Sequence, residues 1–334
     1  MTDVVRRAGI ASAVGLLAVA AVVLAATRPG GAGDGRDASA GGADRWRPLT
    51  PSPLERTEVA AARIGRHVYV VGGFDRATGA TTNAVARYDI KRDTWRLVEP
   101  LPIAVNHATA ASARGKLYVH GGFTDERQLA GATAQLHVYD PGRDRWKRLP
   151  DSTTPRAAHA LGAIGGRLYA AAGANSSSDR LRSLEIYDVS KRRWKRGPAM
   201  EAGRNHVAGT VARGRLYVLG GRPGDLTVAE AYDPERRRWS SVPSLGTPRS
   251  GFAAVTVRGR VVAFGGETAA GTIPEVEMLR GRRWIELPDM LTPRHGLGGA
   301  SRKGRAFALE GGPEPGFHFS GAVESLKVPR PLAK

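Results

Sequence analysis

Two stretches decide the fold: RLYVLGG at 215–221 and AYDPERRRWSSV at 231–242. The first is a short apolar run ending in two glycines. It predicts a strand buried on both faces, followed by a bend where no β-carbon fits. The second puts a Tyr-Asp pair and a tryptophan at the two ends of a hairpin whose turn reads Asp-Pro-Glu-Arg-Arg. Both stretches repeat. Copies of the first are HVYVVGG (67–73), KLYVHGG (116–122), RLYAAAG (167–173), RVVAFGG (260–266) and RAFALEG (305–311). Tyr88-Asp89, Tyr139-Asp140 and Tyr187-Asp188 repeat Tyr232-Asp233, and Glu277-Met278 takes that place in the fifth unit. The six tryptophans, Trp46, Trp95, Trp146, Trp194, Trp239 and Trp284, keep the same register at spacings of 49, 51, 48, 45 and 45. Four short strands in each of six such units is the arithmetic of a β-propeller.

The sixth unit has Val323-Glu324 near the Tyr-Asp position and no tryptophan after it. Its missing strand comes from the other end of the chain, because Asp44-Arg45-Trp46-Arg47-Pro48-Leu49 matches Asp144-Arg145-Trp146-Lys147-Arg148-Leu149. An N-terminal strand therefore closes the ring and removes its open edges. The di-glycines, Tyr-Asp pairs and tryptophans over 45–328 resemble the kelch family, with Ala172 and Glu310 departing from the first glycine. That resemblance implies an all-β, six-bladed kelch-type propeller. The copper oxidases built on this repeat use a thioether-linked Cys-Tyr cofactor, which a chain without cysteine cannot form, so no cofactor and no metal site are expected. Kelch propellers also include a sialic-acid mutarotase, which makes an enzyme acting on an acidic sugar the alternative to a binding module. A purely structural part of an envelope complex is the third reading.

Hydrophobic residues make up 41% of the 334, enough for a core, and the 43 glycines recur at intervals instead of forming a low-complexity tract. The net charge of +19 reads either as attraction to polyanions or as an arginine bias spread over a solvated surface. Basic residues sit at turns with no long run, which argues against nucleic acid as the partner. Residues 8–26 (AGIASAVGLLAVAAVVLAA) are uncharged and follow Arg6 and Arg7. As a helix this run would span roughly 28 Å, close to a bilayer core, with everything after it outside the cytoplasm. The expected organisation is a signal anchor or cleaved signal peptide over 1–27, a Gly/Ala-rich linker over 28–44, the propeller over 45–328 and a tail over 329–334. The protein is thus expected to be extracytoplasmic, membrane-anchored or secreted, and a monomer.

The residues just before the first strand of each blade should rim one mouth of the central channel. Sixteen positions before the first glycine-equivalent stand Arg56, Val105, Arg156, Arg204, Arg249 and Arg294. Five guanidiniums facing one funnel would suit a carboxylate or phosphate, unless they hold neighbouring loops through carbonyl oxygens. The next two columns carry Asn106-His107 and Asn205-His206, which break the repeat, with His295 in the first and Glu58 in the second. Arg56, Asn106, His107, Arg156, Arg204, Asn205, His206, Arg249 and Arg294 are the candidate ligand contacts. If a proton is moved, Glu58, His107, His206 and His295 are the candidates. The expected ligand is a protein, a peptide or an anionic envelope polymer at the channel mouth. His120 and His137 lie in strand patterns and are expected to be packed or surface residues.

Overall fold

Each unit folds into a four-stranded antiparallel sheet with its strands in chain order, and six such sheets stand around a channel. The computed structural model describes residues 45–330, so the apolar run, the linker and the last four residues lie outside the described residues. In the fourth blade the strands are Ala208–Ala212, Arg215–Leu219, Ala229–Asp233 and Arg238–Val242. Among the described residues there is no helix. The sixth blade pairs Gly298–Arg302, Arg305–Leu309 and Val323–Lys327, and its fourth strand is Arg47–Pro48, with Arg47 opposite Ser325. This is the closure expected from the sequence. Residues 41–334 make one compact unit that contains the closure and every core cluster, so it holds the contacts that fold it.

The core lies in the wedges between blades. One cluster joins Ala160, Tyr169 and Leu184 of the third blade to Val207, Leu216 and Tyr232 of the fourth. The tyrosine of each Tyr-Asp pair lies against the tryptophan of the same hairpin, at 4.9 Å between ring centres for Tyr88 and Trp95. Its aspartate caps the turn, Asp89 accepting from the backbone N–H of Lys91 at 3.0 Å. The tryptophans latch the ring: each indole N–H donates to a carbonyl of the preceding blade, from Trp46 to Pro288 at 2.9 Å through Trp284 to Pro243 at 2.7 Å. The second glycine of each pair sits where the neighbouring chain crosses. A β-carbon at Gly173, with φ of 104°, would lie 2.7 Å from the Ala157 carbonyl oxygen.

The innermost strands, such as Ala60–Ile64 and Ala208–Ala212, each run from one end of the channel to the other. They begin at the end where the glycine pairs lie, here the upper mouth. They finish in two-residue turns at the opposite end, the lower face, which also carries the outer hairpin turns.

Candidate functional site

The five arginines do not face the funnel. Arg56, Arg156, Arg204, Arg249 and Arg294 are each 0% exposed. Each pairs with a glutamate inside the blades: Arg56 with Glu310 at 2.8 Å, Arg156 with Glu185 at 2.9 Å, Arg294 with Glu324 at 3.0 Å, Arg249 with Glu277 at 3.6 Å, and Arg204 with Glu230. Their remaining N–H groups go largely to backbone carbonyls, as Arg56 does to Gly72 and Ala84. A buried guanidinium must be paired and hydrogen-bonded, so the ring of arginines is internal bracing and offers a ligand no charge. This corrects the expected role of all five. The partner column was present in the sequence: the second residue of each third strand reads Ala86, His137, Glu185, Glu230, Glu277 and Glu324. Where the first blade has Ala86, the sixth lends Glu310 in place of a glycine, at φ of 57°. The second blade has neither arginine nor glutamate at these places, only Val105 and His137.

The other candidates do converge. Glu58, His107, Ala158, His206, Gly251 and Gly296 occupy one position in the six blades, and every one has φ between 49° and 60°. Backbone bonds link this ring, His107 N–H to the Glu58 carbonyl at 3.0 Å and Gly251 N–H to that of His206 at 3.0 Å. A left-handed backbone costs a β-carbon-bearing residue about 1 kcal/mol, which two glycines at this position avoid. The glutamate and two histidines incur that cost, and their side chains meet at the channel axis.

Hydrogen bonds fix the proton on each histidine. The Thr81 hydroxyl donates to the Asp125 carbonyl at 2.6 Å, so its oxygen accepts from the Asn106 amide at 2.8 Å. The Asn106 oxygen is then left for His107 Nδ1, 2.7 Å away, which must donate. The Asn205 amide donates to the Asp179 carbonyl, and its oxygen accepts from His206 Nδ1 in the same way. Both rings therefore turn Nε2 into the mouth. At His107 that nitrogen lies 3.0 Å from Glu58 Oε2. A lone pair facing a carboxylate at this distance is repelled, so the contact forms when one proton lies between the two groups; burial lowers His107, and the Glu58 charge offsets that only in part. The other Glu58 oxygen takes His295 Nδ1 at 3.1 Å.

Electrostatics separate the three histidines. Burial raises the Glu58 carboxyl, but His107 and His295 outweigh it and hold the group well below the usual carboxylate range. Burial pushes His206 down to about 3, with the His107 charge adding to it, so this imidazole is neutral and its Nε2 is an acceptor. For His295 the hydrogen bond and charge of Glu58, with Glu267 beside it, overcome burial and raise it above an ordinary imidazole. The two asparagines thus act as orienting groups behind the histidines.

Sequence reasoning missed a second layer. The residue after each glycine pair reads Phe74, Phe123, Ala174, Arg222, Glu267 and Gly312, and each bridges to the column that holds Asn106, Asn205 and His295. Arg222 pairs with Glu267 at 2.5 Å, and Asp225 accepts from the Ser250 hydroxyl at 3.0 Å. Phe74 packs edge-on against Phe317 at 4.9 Å, and Phe317 stays 55% exposed. Variation at one position across otherwise similar repeats was the available signal. Together these groups and Leu129 surround a cavity of about 440 Å³ over the shared Glu58–His107 proton. Among the described residues no cluster of His, Asp and Glu has the arrangement of a metal site.

A family model described as the KLHDC2/KLHL20/DRC7 Kelch-repeats domain matches residues 58–266. A solved structure titled "Structure of YjhT" is similar at a TM-score of 0.70 and 16% identity, over 81% of this chain and 95% of that one. At that identity the likeness is one of fold. None of the curated proteins compared matches the chain.

Proposed function

The chain belongs to the kelch-repeat propeller family, a frame that carries unrelated functions, and from that premise we propose a binding module that holds a neutral, hydroxyl-rich ligand of sugar type at the upper mouth. The observation that carries this reading is the mixed lining of the cavity. Glu58, His206, Arg222 and Glu267 offer acceptors and donors, and Phe74, Leu129 and Phe317 offer apolar surface. A pyranose ring has the matching pair of surfaces, hydroxyls at its edge and C–H groups on its face. Charge favours a neutral ligand over the anionic polymer expected from the sequence. The five arginines are withdrawn, and the carboxylates Glu58, Asp225 and Glu267 stand against Arg222, the raised His295 and the proton between Glu58 and His107. An extracytoplasmic location belongs to the same proposal and rests on the apolar run at 8–26 after Arg6 and Arg7.

Saturation-transfer NMR against neutral and acidic monosaccharides tests this reading. Neutral sugars are expected to bind, and Phe317→Ala is expected to weaken them roughly 10-fold through lost stacking surface. Binding restricted to acidic sugars, or unchanged in both Phe317→Ala and Glu58→Gln, would sink it.

One observation favours an enzyme as the second reading. The shared Glu58–His107 proton is an acid and the bare Nε2 of His206 is a base, and the two imidazole rings are 4.9 Å apart. Exchange spectroscopy on the anomers of a sugar that binds decides it. An exchange rate above buffer that Glu58→Gln abolishes supports the enzyme, and a rate equal to buffer removes it.

A further inference from the structure

The lower face repeats the device of the upper mouth with a different result. Each innermost strand ends in a two-residue turn whose first residue is left-handed: Gly65, Arg114, Gly165, Arg213, Arg258 and Lys303, with φ between 47° and 59°. Glycine, asparagine and aspartate suit such turns, yet four of the six carry an arginine or lysine there. All four are exposed. None of them forms a salt bridge among the described residues.

The side chains lie over the turns beside them. A β-carbon at Gly166 would come within 2.9 Å of the Arg114 guanidinium, and one at Gly304 would meet that of Arg258. The rim is therefore a positive ring held at a conformational cost, around a channel end where burial first, and then the Arg302 charge, lowers Arg63. The outer hairpin turns on this face add Lys191-Arg192 and Arg236-Arg237. Two of its acids are occupied, Asp93 and Asp144 accepting from Tyr88 and Tyr139.

We propose that this lower face docks on an anionic phospholipid bilayer. Two observations select a membrane. The chain enters the propeller on this face, because Arg47–Pro48 is an outer strand that starts there, and the stretch leading to it contains the apolar run at 8–26. The final strand, Val323–Lys327, leaves on the same face. Single-stranded nucleic acid would call for a basic groove with stacking aromatics. Among the described residues the exposed aromatic, Phe317, belongs to the upper mouth instead. Docking in this way would turn the ligand cavity outward from the membrane.

The test uses the compact unit 41–334, which lacks the apolar run. Its sedimentation is measured with phosphatidylcholine vesicles containing about one third phosphatidylglycerol, and with pure phosphatidylcholine vesicles. The anionic vesicles are expected to bind and the neutral ones not, with binding falling as salt is added. Combining Arg114→Gly, Arg213→Gly and Lys303→Gly removes three rim charges and is expected to weaken binding roughly 100-fold. Glycine suits these turns, so the unfolding midpoint of the variant should equal or exceed that of the parent. The proposal is overturned if the folded triple variant binds the anionic vesicles as the parent does. It is equally overturned if the parent binds duplex DNA but not the vesicles, or if Arg222→Ala at the upper mouth lowers vesicle binding as much as the triple variant.

Discussion

The two ends of the channel are built from the same strands, and each is rimmed by six left-handed residues, yet they do opposite things with charge. At the upper mouth Glu58, His107 and His206 are nearly buried, and each has a fixed partner or tautomer. At the lower face Arg114, Arg213, Arg258 and Lys303 are exposed and lack an acid partner among the described residues. A charge in a desolvated mouth must be compensated at once, whereas one in water costs little and acts through its long-range field. The comparison separates two uses of basic residues that composition lumps together. The net charge of +19 says nothing about the ligand cavity and much about the opposite face.

The largest expected effect of a single substitution contrasts the arginines inside the blades with those on the lower rim. Arg156→Ala leaves Glu185 buried without its partner and should cost about 3–5 kcal/mol in urea denaturation. Arg213→Gly should not destabilise at all. Similar losses from the two variants would erase the distinction between bracing and rim arginines.

Next comes pH, through a pair between the second and third blades. His120 Nδ1 meets His159 Nε2 at 3.0 Å, and its own Nε2 meets the Ser152 hydroxyl at 3.0 Å. Both histidines replace apolar residues of the other blades, such as Leu219 and Val207. Burial first, then the Arg156 charge, pushes His120 down to about 3, and His159 also falls well below an ordinary imidazole. An unfolded histidine binds its proton near pH 6.5, so in this window the unfolded chain holds protons that the folded one does not. Stability should therefore fall as pH drops from about 6.5 toward 3, by roughly 1.4 kcal/mol per unit for each such histidine. Combining His120→Leu with His159→Val should reduce that slope in urea midpoints taken across the range. An unchanged slope would locate the titrating groups elsewhere, His206 being the next in line.

The smallest effect concerns backbone strain. His206→Gly and Arg213→Gly each relieve a left-handed residue, and each should raise stability by up to about 1 kcal/mol or leave it level. Only the first should abolish ligand binding at the upper mouth. Loss of sugar binding in Arg213→Gly would tie the two ends together.

The site was half legible. Asn106-His107 and Asn205-His206 stood out because they depart from their repeats, Glu58 because it is the lone acid in these columns, and His295 as a histidine beside them. All four titratable residues meet in the structure. The arginines misled because a residue recurring in five of six copies is what the frame needs, and a ligand site breaks the symmetry of the frame. Arg222 and Glu267 were hidden in the opposite way, each occurring once in a column that has no shared character.

The sequence alone determined the blades, their number and the closing strand. Period, glycine pairs and aromatic register act locally and recur six times, so each copy confirms the others. Only the tertiary structure decided the direction of each charge. Whether an arginine at the edge of a strand turns into the blade or toward water depends on a glutamate that comes 29 residues later in the third blade, Glu185 for Arg156, and 254 residues later in the first, Glu310 for Arg56. The desolvation cost of a guanidinium is settled by that partner, and sequence distance does not reveal it.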